Sequence, residues 1–414
     1  MGRTPEELFA EREKRIAGAI ALGRPDRVPV VSLFDFFPSR YRGITVQEAM
    51  YDPDKMARAW SETYEEFAPD ACDNPFPLRQ VGAILDPLDF RQLRWAGRGL
   101  GPDASYQFVE KEYMREDEYD AFLLDPTDFV LRTYWPRICG ALEPLAKLPP
   151  FHTTVSYASF SILAALVAPE LEGAWRALRR SGEEAAKMLA AARAFVSQMA
   201  GLGFPMLYGG TAYAPFDMLG DFFRGTRGLA FDLFRRPAKV EAALEKFLPM
   251  MIRQGVEGAK RTGIPRVFIP LHRGSDGFLS RDHFARFYWP GLRDVMLALI
   301  AEGLTPMVFV EGNFSTRLDF LAQMPPGKVC YHLERTPMEL ARETLRGIAC
   351  LRGGVPISLL VAGTPEEVRA CCRELIEGSG PEGGFILDTS TVLTDARPEN
   401  VRALYEFAKE PSGR

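Results

Sequence analysis

The feature that most constrains this chain is an alternation in its second half. Short runs rich in β-branched and aromatic residues recur at 266–272 (RVFIPLH), 306–312 (PMVFVEG), 328–334 (KVCYHLE), 347–353 (GIACLRG) and 384–390 (GFILDTS). Amphipathic segments such as RDHFARFYWPGLRDVMLALIAEG and TPEEVRACCRELIEG lie between them. The second opens as a capped helix, with Thr364 as N-cap, Pro365 in the first turn and Glu367 three residues on. Strands separated by helices rather than by tight turns must run parallel, so this half reads as βαβ units.

The first half is less regular. RVPVVSLFD (27–35) and GFPMLYGGTAY (203–213) read as strands, and a weaker one falls near DACDNPF (70–76). Eight strands favour a closed (β/α)8 TIM barrel over an open doubly wound sheet. Residues 87–200 then form a long helical insertion between strands 2 and 3, placed to serve as a lid. The chain from 1 to 414 is expected to be one domain.

With 414 residues, 47% of them hydrophobic, the chain buries a large core. A net charge of -5 argues against nucleic acid as a partner. No apolar run reaches the ~18 residues of a membrane span, and the charged amphipathic start, MGRTPEELFAEREKRIAGAIALG, lacks a signal peptide's apolar centre. Six cysteines (Cys72, Cys139, Cys330, Cys350, Cys371 and Cys372) form no CxxC pair. They read as reduced thiols in a cytoplasmic protein, with Cys371 and Cys372 as helix filler.

Chemistry in a parallel barrel sits where the strands end. Those ends carry Asp35, Asp73, Tyr208 with Thr211, His272, Glu311 with Asn313, His332 with Glu334, Arg352, and Asp388 with Ser390. Two of the four histidines, His272 and His332, are in this set.

From GRPDRVPV through YGGTAYAPFDMLGDFFRGTRGLAFDLFRRPAKVEAALEKF to GTPEEV and DARPENVRALYEF, the chain resembles the uroporphyrinogen decarboxylase superfamily. That resemblance implies a (β/α)8 barrel and one of two activities: cofactor-free decarboxylation of a tetrapyrrole, or zinc-dependent methyl transfer involving a corrinoid. The decarboxylase branch carries RQAGRY after its first strand, whose arginines hold substrate carboxylates. Here FFPSRY keeps Arg40 and Tyr41 and puts phenylalanine where the first arginine belongs. Its histidine after the last strand falls on Ser390, whereas Asp73 matches the aspartate that gathers pyrrole nitrogens. The thiol-methylating branch binds zinc through His-X-Cys and a later Cys; those positions are Phe309, Glu311 and Ser390.

The aryl-ether demethylases are the third branch, and some look to bind zinc through Glu and His. Glu311 followed after twenty residues by His332 is similar to their pair, whereas the upstream glutamate of the pattern falls in a helix at Met296. The resemblance therefore implies zinc held by Glu311 and His332 and leaves the third ligand open; His272, at the end of the strand on the other side of Glu311, is the nearest candidate, with Asp276 in the loop after it as second choice. Three protein ligands and an open position make a catalytic zinc site. A carboxylate–imidazole set leaves zinc a hard Lewis acid suited to a departing ether oxygen. Glu311, His332 and Asp73 are the expected catalytic residues; Asp35, Tyr208, Asp276, Asn313, Arg352 and Ser390 are the expected substrate contacts. No DxHxxG sequence is present to ligate cobalt, so the cobalamin is expected on a separate corrinoid protein that docks over the barrel mouth. The competing readings are the decarboxylase, and a binding protein without turnover.

Overall fold

The computed structural model describes residues 2–31, 33–151, 161–380 and 382–410. Three strands early in the chain, β1 (Leu93–Ala96), β2 (Gly99–Leu100) and β3 (Gln107–Phe108), form a small sheet of their own. Six parallel strands follow side by side in chain order: β4 (Gly210–Thr211), β5 (Arg266–Leu271), β6 (Thr305–Val310), β7 (Cys330–Leu333), β8 (Cys350–Val355) and β9 (Phe385–Thr389).

Single bridges complete the ring. Val30 pairs with Leu387 of β9, and Phe34 with Leu393. The Asp70 N–H donates to the Val30 carbonyl at 2.8 Å. Cys72 pairs with Met206, and the Gly209 N–H donates to the Arg266 carbonyl of β5 at 2.8 Å. Eight chain segments thus close a (β/α)8 barrel, as the alternation requires. The segments at 27–35, 70–76 and 203–213 contribute bridges and the two-residue β4 rather than long strands. Pro29, Pro75 and Pro205 have no N–H to give a ladder, and Gly209 and Gly210 bring no side chain to pack.

Side chains alternate across each strand, so the lumen fills in levels. The floor is apolar, with Met307, Cys330, Cys350 and Ile386 packed against Ile16, Ala19 and Ile20 of the helix Pro5–Ile20. That helix is the amphipathic start of the chain, opened by a Thr4–Glu7 capping box. The next level holds Leu33, Phe268 and Phe309, with Tyr208 against them and His332 stacked on Phe309 at 4.6 Å. Glu311 and His272 lie above, one residue beyond the ends of β6 and β5.

The last part of the 87–200 span is a 30-residue outer helix, Glu172–Gly201, which runs toward the third barrel segment. The part nearer β1–β3 covers the mouth. Ser105 Oγ lies 3.5 Å from Asp35 Oδ2, and the Val109 N–H donates to the Gln92 carbonyl. All six cysteines are free thiols, and Cys371 and Cys372 sit on the helix Pro365–Ser379 behind its Thr364–Glu367 capping box. Among the described residues no helix is long and apolar enough to cross a membrane.

Candidate active site

β5 and β6 are in register, Leu271 beside Val310, so the next residues of each, His272 and Glu311, are neighbours at the rim. His272 Nε2 lies 3.6 Å from Glu311 Oε1. The other ring nitrogen donates to Asp221 Oδ2 at 2.5 Å, and Arg273 Nε donates to the second oxygen of the same carboxylate at 2.7 Å. Asp221 sits on the π-helical turn Leu219–Arg224. One turn earlier, buried Asp217 accepts the backbone N–H groups of His272 (3.1 Å) and Arg273 (2.9 Å) and the Tyr288 hydroxyl (2.6 Å). The turn that carries His272 is therefore held by one carboxylate, and its ring is aimed by another.

Electrostatics follow from this packing. Burial raises the Glu311 carboxyl; the neighbouring His272 offsets part of the rise, Glu334, Asp217 and Asp221 add to it, and the group reaches about 7. Burial alone would lower His272, but the Asp221 hydrogen bond and the charges of Asp221, Asp217 and Glu311 lift it to about 9. Burial and the charge of Asp221 raise Asp217 to about 6. At neutral pH the rim thus holds a carboxyl that readily gives or takes a proton beside a cationic imidazole.

These groups open into a cavity of about 330 Å3. Phe108, Tyr213 and Phe222 supply its apolar walls; Gln92, Glu110, Asp221, His272, Arg273 and Glu311 supply its polar ones. Phe108 of β3 and Glu110 just after it belong to the covering segment, so the insertion forms part of the wall.

His332 is elsewhere. It pairs in register with Phe309, so Glu311 stands two residues further up its own strand, ~6.6 Å at the usual rise. The His332 ring is buried, its Nε2 meets the Thr389 carbonyl at 2.7 Å, and desolvation holds it well below the usual imidazole range and neutral. The structure thus brings Glu311 to His272 and leaves His332 one level down. Among the described residues no group of three or more His, Cys, Asp and Glu side chains could hold a metal ion. The expected zinc set is not gathered.

The remaining expected residues divide between lumen and scaffold. Arg352 is buried, donating through Nε to Asp388 at 2.6 Å and through Nη1 to the Tyr208 hydroxyl. Asp73 accepts from the Tyr64 hydroxyl and faces Arg79 Nη1 at 3.0 Å, while Arg79 Nε stands 3.5 Å from Asp35. Asp276 is committed to the loop: its backbone N–H donates to the Asn313 carbonyl, and its carboxylate accepts from Thr316 and Arg317. Asn313 accepts from Ser315 in a local turn, and the Ser390 N–H donates to the Val355 carbonyl. Asp276 and Asn313 shape the rim and do not line the cavity. Asp217, Asp221 and Arg273 are site residues that the strand ends alone do not reveal, and for the two acids the sequence does carry a signal. FDMLGDFF (216–223) places them four residues apart, on one face of an otherwise apolar helix.

The family model described as uroporphyrinogen decarboxylase (URO-D) matches residues 175–411, more than half of the chain. The chain belongs to the uroporphyrinogen decarboxylase family. Among solved structures it is similar to a methyltransferase from Methanosarcina mazei, with a TM-score of 0.65 and 15% identity over 96% of this chain and 98% of that one. That likeness is one of fold. A B12-independent methionine synthase from Shewanella sp. W3-18-1 matches with a TM-score of 0.34 and 13% identity, over 48% of this chain and 59% of that one. The comparison with curated proteins finds no match.

Proposed function

We propose that this member of the family transfers a methyl group from the oxygen of a small aryl methyl ether to the cobalt of a corrinoid carried by a separate protein. The observation that carries the reading is Glu311, a carboxyl near 7 beside cationic His272, facing a cavity with aromatic walls. The fold shared with a protein described as a methyltransferase supports it.

In the reaction the methyl–oxygen bond breaks and a carbon–cobalt bond forms, the electron pair coming from cobalt(I). The oxygen leaves with the old bonding pair. Protonated Glu311 hands its proton to that oxygen, so an alcohol or phenol departs instead of an anion. His272, held cationic by Asp221, stabilises negative charge as it develops. Phe108, Tyr213 and Phe222 orient the ring and keep water from the reacting atoms. Zinc would find Glu311 and His272 side by side and no third ligand among the described residues, so no step runs through a metal.

The decarboxylase alternative asks this cavity to hold a polycarboxylate. Its wall carries three acids, Glu110, Asp221 and Glu311, against two basic groups, and Arg273 is already bonded to Asp221. Arg40, the arginine kept in FFPSRY, pairs with Asp395 and with the Asp103 carbonyl. The test is anaerobic incubation of the protein with chemically reduced cob(I)alamin and a panel of methoxybenzoates and methoxyphenols, with methylcobalamin followed by absorbance and the demethylated phenol by chromatography. Methylcobalamin formed with matching phenol supports the reading. No transfer from any member of the panel, with coproporphyrinogen formed from uroporphyrinogen, would replace it with the decarboxylase.

A further inference from the structure

One level below Glu311 the lumen holds two buried polar side chains that the reaction does not use. His332 and Arg352 are directly opposite each other on β7 and β8, exposed by only 2% and 1%. His332 Nε2 faces a carbonyl oxygen, an acceptor only, so it carries the ring hydrogen. Nδ1 is then a bare acceptor, and among the described residues no group hydrogen-bonds to it. On Arg352, Nε and Nη1 are occupied by Asp388 and Tyr208, whereas Nη2 has no hydrogen-bond partner among the described residues. An unmatched donor and an unmatched acceptor therefore belong to residues paired across adjacent strands, whose backbones run ~4.8 Å apart, in the lumen one level below Glu311. Buried groups of this kind are ordinarily satisfied, and each one left unmade is costly.

Charge decides what fits between them. Arg352 is already balanced by Asp388 at 2.6 Å, and His332 is neutral, so an arriving carboxylate would meet Asp388 without a cation to spare. An apolar group would leave both atoms unmatched. A hydroxyl satisfies both, accepting from Nη2 and donating to Nδ1. We propose that Arg352 and His332 form a hydroxyl-recognising subsite, so that the preferred substrate is a methoxyphenol whose ring reaches down the lumen with its hydroxyl opposite the methoxy group. Phe309, stacked on His332, and Phe268 beyond it give the ring a flat wall. This deepens the methyl-ether reading and rests on it for the methoxy end of the ligand.

Binding, measured without cobalamin or turnover, tests it. The probes are 4-methoxyphenol and 4-methoxytoluene, which differ by a hydroxyl in place of a methyl group, and the measurement is calorimetric titration of the full chain. Wild type is expected to prefer the phenol on the order of tenfold or more, because the methyl compound strands both buried atoms. Arg352→Lys keeps a cation beside Asp388 and removes Nη2. His332→Phe keeps the stack on Phe309 and removes both ring nitrogens. In either variant the affinity ratio should fall toward one, with thermal melts reporting which of the two is folded. Equal affinities in wild type, binding of neither probe, or a ratio unchanged in a folded variant would overturn the subsite and leave the two atoms to an ordered water. Selective binding without methylcobalamin formation in the transfer assay would overturn the methyl-transfer reading and leave the subsite standing.

Discussion

His272 presents Nε2 to Oε1 of Glu311 at 3.6 Å, and both residues sit one step past the ends of neighbouring strands in register. Both are shifted upward, the acid to about 7 and the imidazole to about 9, which makes them a proton donor and a cation over the same interval. If protonated Glu311 delivers a proton to the leaving oxygen, kcat/KM for methyl transfer should fall as pH rises through about 7. Glu311→Gln keeps size and removes the proton; it should lower the rate on the order of 100-fold or more and flatten that limb. A Gln variant with the wild-type rate and pH profile would end the acid role.

Asp221 is the reason His272 is cationic, which NMR can read directly. The chain has four histidines, so assignment of the ring signals by mutation is practical. The His272 signal should titrate near 9 in the wild type and move down in Asp221→Asn, because the hydrogen bond and charge that raise it are lost. The His332 signal should stay that of a neutral ring well below 6.5. The linkage has a definite sign. His272 contributes stability that is full below 6.5 and lost as pH rises through about 9; Glu311, raised from 4.5 to about 7, favours the folded state less as it ionises. Melting temperature should therefore fall between pH 6.5 and 9, and His272→Asn should show a shallower fall over the same window.

Much of this architecture was legible in the sequence, and what was not is mostly register. RVFIPLH and PMVFVEG mark β5 and β6, and the polar residue closing each apolar run is the one found at the rim. KVCYHLE ends in the same way, yet β7 pairs one level lower, Phe309 beside His332, so two residues that both read as strand ends stand at different heights. A two-residue offset leaves every side chain on the same face and so leaves no trace in an alternating pattern. The weak strands were hard to see for a different reason: Pro29, Pro205 and the Gly209–Gly210 pair leave bridges where a ladder would have announced itself. Asp217 and Asp221 were hidden because a helix that leads away from a strand end is read for its apolar stripe, and their role depends on which loop that helix packs beneath.

The zinc expectation can be tested through the same register. A three-ligand site would need His332, which is turned to the Thr389 carbonyl a level below Glu311. Dialysis against a strong chelator should leave methyl transfer within about twofold, and His332→Phe should not change metal content. Loss of activity on chelation, restored by zinc, would mean that these strand ends rearrange around a metal.

Gly312 offers the last test, because it fixes the backbone that aims Glu311. Its φ is +85°, where an L side chain is strained, and an added Cβ would stand 2.8 Å from the Cβ of Ser275. Its N–H donates to Glu334 Oε2 at 2.6 Å, tying the end of β6 to that of β7. Gly312→Ala should cost about 1–2 kcal/mol of stability from the left-handed backbone alone. Relief of the Ser275 contact must also shift the turn and carry Glu311 away from His272. The expected result is a modest fall in melting temperature with a much larger fall in kcat, at a level of folding that circular dichroism shows to be intact. Removing the clash in the double variant Ser275→Gly with Gly312→Ala should restore part of the activity while the strain remains. If the single variant loses stability and activity in proportion, the turn supports the fold in general and does not specifically aim Glu311.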